Sequence, residues 1–252
     1  MAYIKKKKEE KNTSEELKDQ SSNLDSILKE LVKQHNTIDP FSATSGGKSE
    51  LGSAVTKYIS TGSIALDTII ANRKDGGWPC GRIVELYSEP GFGKTAICFQ
   101  AMSNCQREGG VVIFFDAERA ASAELMEGFG VDPEKIVYSN LDKVEDIFQV
   151  LQDNLTSIIN NPNMKDKKVF VVIDSLAAMK SKKLEEGTFD YNMNTQGEFA
   201  KLLGLALKRS LSYLHKANAN LLIINQMRDA IGSMARDCVD PFTTKIKIRY
   251  KL

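Results

Sequence analysis

Long hydrophobic runs are missing from this sequence. No stretch approaches the roughly 18 apolar residues that a membrane-spanning helix needs. The basic run at residues 5–8 is not followed by the apolar segment of a secretory signal. We therefore expect a protein that neither binds a membrane nor is secreted.

Cysteine and histidine are also scarce. The 4 cysteines contain no Cys-x-x-Cys pair, and neither His35 nor His215 has an acidic or cysteine neighbour at ligand spacing. These absences argue against a disulfide framework and against a zinc site. Free and mostly buried thiols in a reducing cytoplasm are expected for Cys80, Cys98, Cys105 and Cys238.

Neither sign of charge dominates. The formal net charge is +1, with 27% charged and 42% hydrophobic residues, which is ordinary for a globular chain. Any affinity for nucleic acid must therefore come from local surfaces. A length of 252 residues suits one medium α/β domain with extensions.

The most informative segment runs from Arg82 to Met102, where a β-branched run is followed by a tight loop and then by an amphipathic pattern. A strand, a loop and a helix in this order are typical of a phosphate-binding loop, whose N–H groups and helix dipole face the phosphates. Lys94 would reach the β- and γ-phosphates of ATP, and the Thr95 hydroxyl would ligate Mg²⁺. The predicted ATP-binding residues are Ser88, Glu89, Pro90, Gly91, Phe92, Gly93, Lys94 and Thr95.

Two details test this interpretation. The first glycine of the usual loop is replaced by Ser88, which is small enough for the prediction to stand, and Gly91 supplies flexibility inside the loop. The same letters recur at residues 42–49, but without a preceding β-branched run or a following good helix. Because such a loop has neither a scaffold nor a dipole, we interpret residues 40–54 as a linker.

From about Val55 onward, β-branched runs alternate with amphipathic patterns. This alternation predicts an α/β fold with a mainly parallel sheet and helices on both faces, in which ligands bind at the carboxyl ends of the strands. The predicted strands are 83–87, 111–115, 136–138, 169–173 and 221–224, and the predicted helices are 94–107, about 120–129, 142–160 and 195–217.

The N-terminal region is predicted to consist of a disordered polar tail, residues 1–21, and a short amphipathic helix followed by the linker, residues 22–54. Nothing local lies beside this helix for it to pack on. It either folds back on the core or docks onto another subunit, and its periodicity leaves both open.

Polar residues follow three of the predicted strands. Asp174 closes a hydrophobic strand and fits the aspartate that orients Mg²⁺. Glu118 is the best candidate for the carboxylate that orients an attacking water, the alternative being a surface ion pair with Arg119. Gln226 cannot act as a base, but its amide could sense the γ-phosphate and transmit its loss to the following loop.

Two long stretches, 180–197 and 227–244, show neither helical nor strand periodicity. Long ordered loops are uncommon in compact domains unless they are functional. We therefore predict that both stretches are functional loops.

The chain resembles the RecA family of recombinases over about residues 55–244. The segments that carry the resemblance are YISTGSIALD at 58–67, GRIVE at 81–85, the loop 88–95, FDAE at 115–118, VIDSLAA at 172–178 and INQMR at 224–228. The resemblance implies a RecA-like P-loop NTPase core that uses ATP and Mg²⁺. It further implies a homo-oligomeric helical filament on single-stranded DNA that exchanges strands with double-stranded DNA.

The resemblance also assigns roles to residues. Lys94, Glu118 and Gln226 are implied to be catalytic, and Thr95 and Asp174 to hold the metal. The two irregular stretches match the positions where the family contacts DNA, and residues 22–34 match an element that docks onto a neighbouring subunit. Repetition along a filament would join a few cations per subunit into a continuous groove. The predicted DNA-binding residues are Lys180, Lys182, Lys183, Arg228 and Arg236.

Two features depart from the family pattern. Leu125 stands where the family often places an aromatic residue over the adenine, so we expect weaker base stacking. After Thr244 the expected glycines and further strands are missing, and the tail 245–252 resembles neither a strand that closes the core nor a designed terminus. We hypothesise a product truncated by an intron, a frameshift or a split gene, which could bind ATP and yet lack cross-subunit catalysis.

The sequence leaves two other functions open. One is a helicase-type motor with the same core, against which the ISTGS segment and the strand end Asn-Gln-Met-Arg argue. The other is a truncated ATP- or DNA-binding form without full activity that regulates the filaments of an intact partner.

Overall fold

A computed structural model describes residues 55–182, 193–226 and 247–250, together with residues 26, 27, 29–31, 33 and 34. Of residues 193–196 and 247–250 it describes the backbone alone. The chain divides into two compact units, Met1–Ala54 and Val55–Leu252. In the first unit the described residues are helical, as the periodicity of residues 22–34 predicts, and Ile27 and Leu31 are exposed. The sequence repeat at 42–49 lies outside the described residues.

The second unit is organised around a six-stranded sheet. A separate pair of strands lies outside this sheet. Together, the described strands of the unit are β1 (Tyr58–Ile59), β2 (Trp78–Pro79), β3 (Ile83–Ser88), β4 (Val111–Asp116), β5 (Ile136–Ser139), β6 (Val169–Asp174), β7 (Ala219–Gln226) and β8 (Lys247–Tyr250). The sheet has the order β5-β4-β6-β7-β3-β8, in which β8 is antiparallel to β3 and all other neighbours are parallel. β1 and β2 form a separate antiparallel pair.

Helices connect the parallel strands. They are α1 (Ile64–Ala71), α2 (Lys94–Arg107), α3 (Ala123–Gly128), α4 (Val144–Asn160) and α5 (Met193–Lys216). Within the described ranges no helix is long and apolar enough to cross a membrane.

The ISTGS segment, residues 59–63, leads directly into α1 and is bonded to its first turn. The Ser63 hydroxyl caps the helix by accepting from the Leu66 N–H at 3.4 Å. The buried Asp67 carboxylate accepts from the Ser60 hydroxyl at 2.6 Å and from the Thr61 N–H at 2.7 Å. These bonds tie the loop before α1 to the helix.

Each face of the sheet has its own hydrophobic core, because successive side chains of a strand point to opposite faces. Val112 and Phe114 of β4 belong to the cluster that contains Phe99 and Met102 of α2. Their neighbours Ile113 and Phe115 belong to the cluster that contains residues of α4 and α5, among them Ile147, Leu151 and Leu214. The predicted parallel sheet with helices on both faces is therefore confirmed.

The C-terminal tail corrects one expectation. Residues 245–252 were expected to resemble no strand of the core, yet Lys247–Tyr250 pair with β3, with Arg249 opposite Glu85. An alternation of charged and apolar residues suits an antiparallel edge strand, since only one face of such a strand needs burial.

The described cysteines are free and buried, as expected. Burial raises the pKa of Cys80 and of Cys105 to about 12, and it raises the pKa of Cys98 as well. Since the thiolate is the reactive form, these three thiols should be inert in the folded chain. Cys238 lies outside the described residues.

This gives a direct test of the core. In a Cys238→Ser chain at pH 8, we expect no rapid reaction of Cys80, Cys98 or Cys105 with Ellman's reagent, because each thiol is protonated and shielded. Unfolding in guanidinium chloride should release all three for titration. Rapid modification of any of them in the native chain would contradict the burial of these thiols.

Candidate nucleotide site

The register of the sheet brings the ends of four parallel strands to one edge. Ser88 at the end of β3 pairs with Gln226 at the end of β7, and Asp116 at the end of β4 pairs with Asp174 at the end of β6. In parallel sheets of this kind ligands bind at this carboxyl edge. The structure thus collects the predicted site residues from four separate parts of the sequence.

The loop between β3 and α2 has the backbone of an anion-binding turn. Gly91 and Gly93 have φ of 81° and 79°. A Cβ at either position would meet nothing within 4 Å, so the left-handed backbone and not the available space calls for glycine. Gly93 is the N-cap of α2 and no side chain caps the helix. Its first N–H groups are therefore suited to bind phosphate.

Lys94 is buried and is held by the loop that precedes it. Its Nζ donates to the Ser88 carbonyl at 3.1 Å, to the Ser88 hydroxyl at 3.1 Å and to the Glu89 carbonyl at 2.8 Å. Burial lowers the pKa of Lys94, while the charges of Asp174 and Glu118 act in the opposite direction. Ser88, the departure from the usual loop sequence, therefore contributes an oxygen to the cradle that holds the lysine.

Thr95 and Asp174, the two predicted metal ligands, lie together. The Thr95 hydroxyl donates to the Asp174 carboxylate at 2.7 Å, which links α2 to the end of β6. Burial raises the pKa of Asp174 to about 6, the charges of Glu118 and Asp116 raise it too, and the bond from Thr95 and the charge of Lys94 oppose the shift.

This pair fits Mg²⁺. A hydroxyl and a carboxylate are the hard oxygen donors that Mg²⁺ prefers, with water and phosphate oxygens completing its octahedron. Among the described residues there is no cluster of three or more histidine, cysteine or acidic side chains that could hold a metal without such help. Thr95 and Asp174 would therefore supply two of the metal's oxygen ligands.

Glu118 meets Gln226 at the same edge. Its carboxylate accepts from the Gln226 side-chain amide at 2.9 Å and from the Ser175 hydroxyl, and its backbone N–H donates to the Asp174 carbonyl at 3.2 Å. Arg119 instead lies 3.9 Å from the Asp142 carboxylate. The alternative of a Glu118–Arg119 ion pair is therefore not what the described structure contains.

Sequence reasoning placed Asp116 and Ser175 among the polar residues that follow the predicted strands but gave neither residue a role. Ser175 follows Asp174 across a cis peptide bond, and its hydroxyl donates to Glu118. Their position was the available signal, since Asp116 ends β4 and Ser175 directly follows β6, but position alone does not show which groups they bond. Leu125, the residue noted in place of an aromatic side chain, lies on α3 and is exposed.

The predicted DNA-binding lysines that are described have acidic partners. Lys180 lies 3.6 Å from the Asp142 carboxylate, and Lys182 lies 2.5 Å from that of Asp146. The Glu145 carboxylate in addition accepts from the backbone N–H of Lys182 at 3.2 Å. The first turn of α4 thus holds the start of the stretch 180–197. Lys183, Arg228 and Arg236 lie outside the described residues.

The phosphate-binding turn, the Thr95–Asp174 pair and a carboxylate at the carboxyl edge of a parallel sheet define an α/β domain of the P-loop class. Comparison with known sequences makes the class specific: the family model described as "RecA N-terminal domain" matches residues 25–246, and the chain belongs to the RecA family.

Curated relatives agree with this assignment. Protein RecA of Helicobacter hepaticus is 38% identical over 176 residues, which cover 70% of this chain and 47% of the relative. Protein RecA of Wolinella succinogenes is 35% identical over the same shares of both chains. Protein RecA of Sulfurimonas denitrificans is 36% identical over 177 residues, again 70% and 47% of the two chains. The chain thus spans about half the length of the curated relatives it matches.

The buried Asp174 carboxylate predicts a stability that depends on pH. The pKa of Asp174 is raised in the folded chain, so between about pH 4 and about pH 6 the folded state keeps a proton that the unfolded state releases. Stability therefore falls as the pH rises through this window. In the absence of nucleotide and Mg²⁺, Asp174→Asn should stabilise the chain at pH 7.5 by roughly 1–3 kcal/mol, because the amide carries no charge and still accepts from Thr95.

Thermal unfolding checks this. The melting temperature of Asp174→Asn should exceed that of the wild type at pH 7.5, and the difference should shrink toward pH 4.5. Asp153→Asn, which removes an exposed carboxylate from α4, serves as the control and should change little. A less stable Asp174→Asn variant at pH 7.5, or a difference that does not vary with pH, would count against the raised pKa.

Proposed function

We propose that this chain is the ATPase core of a DNA recombinase, which binds single-stranded DNA, assembles into filaments, and promotes homologous pairing and strand exchange in recombination and repair. The observation that carries the proposal is the meeting of Lys94, the Thr95–Asp174 pair and the Glu118–Gln226 pair at one sheet edge, in a chain of the RecA family.

Each side chain has a distinct role in this proposal. Lys94 neutralises the β- and γ-phosphates, and Thr95 and Asp174 hold Mg²⁺. When bound, the metal supplies positive charge that offsets the charge developing on the phosphates. ATP displaces the Ser88 and Glu89 oxygens as the partners of Lys94, since phosphate oxygens offer the ammonium group stronger, charge-assisted bonds.

Glu118 orients the attacking water in this scheme. The base for hydrolysis must not itself be a ligand of the metal. The Glu118 carboxylate accepts hydrogen bonds from Ser175 and Gln226, and not from the Thr95 hydroxyl, which donates to Asp174. Gln226 ends β7 and is followed directly by the segment 227–244. Because its amide donates to Glu118 at 2.9 Å, a rearrangement at the γ-phosphate reaches the start of that segment through one hydrogen bond.

In this proposal DNA competes for two lysines with the acidic turn, by which we mean Asp142 just before α4 and Asp146 in the first turn of α4. The phosphates of a single strand would draw Lys180 and Lys182 away from Asp142 and Asp146, to act together with Lys183, Arg228 and Arg236. Exposed ion pairs are worth only about 0–1 kcal/mol, so a polyanion can replace them. Affinity should then fall steeply with salt.

ATP hydrolysis with and without single-stranded DNA tests the function. Lys94→Ala should abolish nucleotide binding, because it removes the cation of the loop. Glu118→Gln should leave ATP binding intact and lower turnover by about 10²- to 10⁴-fold, because an amide cannot take the proton of water. DNA-stimulated turnover above the Lys94→Ala blank is the expected result for the wild type.

Two results would change the assignment. Unchanged hydrolysis in Glu118→Gln would remove Glu118 from its role. A folded wild-type chain that binds ATP without turning it over would favour the alternative of a regulatory form, which sub-stoichiometric inhibition of a full-length relative would then reveal.

The acidic turn gives a second prediction. Asp146→Asn should raise the affinity for single-stranded DNA about two- to fivefold at low salt, because Lys182 loses its competing partner. Fluorescence anisotropy with a labelled oligonucleotide measures this.

The matched control is Asp153→Asn, which removes the same charge from the same helix. Adding Lys182→Ala to Asp146→Asn should erase the gain. An equal gain from Asp153→Asn would mean that net charge and not the Lys182–Asp146 pair is responsible.

A further inference from the structure

A buried carboxylate, Asp116, holds the loop that carries Glu118. Asp116 is the last residue of β4 and is 1% exposed. Its carboxylate accepts from the Ala120 N–H at 3.2 Å, from the Ala121 N–H at 3.0 Å and from the Tyr138 hydroxyl at 3.1 Å. Glu118 therefore lies inside a loop that the side chain of Asp116 closes.

The same loop is anchored on its other side by β6. The Glu118 N–H donates to the Asp174 carbonyl at 3.2 Å, and the Arg119 N–H donates to the Asp116 carbonyl at 3.3 Å. Arg119 has a φ of 56°, the left-handed conformation that a residue with a side chain seldom adopts. These bonds leave the Glu118 backbone little freedom and aim its carboxylate at Ser175 and Gln226.

Tyr138 reaches the same carboxylate from the neighbouring strand β5. Burial raises the pKa of Tyr138, and the charge of Asp116 raises it further. The phenol therefore stays protonated near neutral pH and remains a donor. Tyr138 thus tightens the loop without touching Glu118.

We propose that Asp116, assisted by Tyr138, is a positioning residue for Glu118: it fixes the loop 116–121 so that the Glu118 carboxylate meets the attacking water. This inference rests on the proposed ATPase function. A carboxylate is required because both of its oxygens accept hydrogen bonds, whereas asparagine would turn an NH₂ group toward one of the donors. Asp116 acts through Glu118 and does not contact the nucleotide.

A double-mutant cycle on kcat tests whether Asp116 acts through Glu118. Asp116→Asn should lower kcat for ATP by about ten- to a hundredfold, with KM and nucleotide affinity unchanged, because only the water-orienting group is displaced. In a Glu118→Gln background the same substitution should cause no further loss, since the group it positions is already gone. Equal losses in both backgrounds, or a loss of nucleotide affinity, would overturn the inference in favour of a general structural role.

Two variants complete the kinetic design. Asp132→Asn is the matched control, because the Asp132 carboxylate also caps a local turn by accepting from the Glu134 N–H at 3.1 Å. This turn precedes β5 and does not lie at the carboxyl edge of the sheet. It should leave kcat unchanged. If Asp116→Asn does not fold, Tyr138→Phe decides: a few-fold fall in kcat that vanishes with Glu118→Gln supports the inference, and an unchanged kcat overturns it.

Amide hydrogen exchange separates this inference from the proposed function. Asp116→Asn should speed exchange at Glu118, Ala120 and Ala121 and leave β6 and α2 protected, whether or not ATP is hydrolysed. A wild-type chain without turnover would defeat the proposed ATPase, while faster exchange confined to 117–121 would still support the positioning of Glu118. Unchanged exchange in this loop would overturn it.

Discussion

The aligned register of four parallel strands is the constraint on which the rest of the site depends. Ser88 lies opposite Gln226, and Asp116 lies opposite Asp174. Because side chains alternate between the faces of a sheet, a shift of β6 by one residue would turn Asp174 away from Thr95 and move the carbonyl that accepts from Glu118. The hydrophobic clusters on both faces oppose such a shift, since it would exchange their residues.

Burial of charge at this edge opposes stability. Desolvation lowers the pKa of Lys94 and raises that of Asp174 to about 6, so each group is held in surroundings that disfavour its charged form. Phosphate and Mg²⁺ are the partners that would favour the charged forms. Sites that violate the ordinary rules of burial are where a protein gives up stability for activity. The Asp116 carboxylate at the same edge accepts hydrogen bonds from three donors.

Much of the fold was accessible from local pattern. The predicted helix 94–107 coincides with α2, and the predicted strands 83–87 and 169–173 fall within β3 and β6. These elements have strong periodicity and clear boundaries. The pair β1 and β2, helix α1 and the edge strand β8 were not predicted. β1 and β2 have only two residues each, α1 is apolar at six of its eight positions and so shows no clear polar face, and β8 alternates charged with apolar residues.

Local chemistry in the sequence specifies the phosphate-binding loop, since its glycines, Lys94 and Thr95 are neighbours in the chain and their spacing sets their roles. Contacts between distant segments needed the folded chain. The Glu118–Gln226 bond joins residues 108 positions apart, and the acidic partners of Lys180 and Lys182 come from α4. Asp116 was visible only as a polar strand end, because its hydrogen bonds depend on where β4, β5 and the loop meet. Spacing along a chain identifies residue types, whereas strand register determines which of them touch.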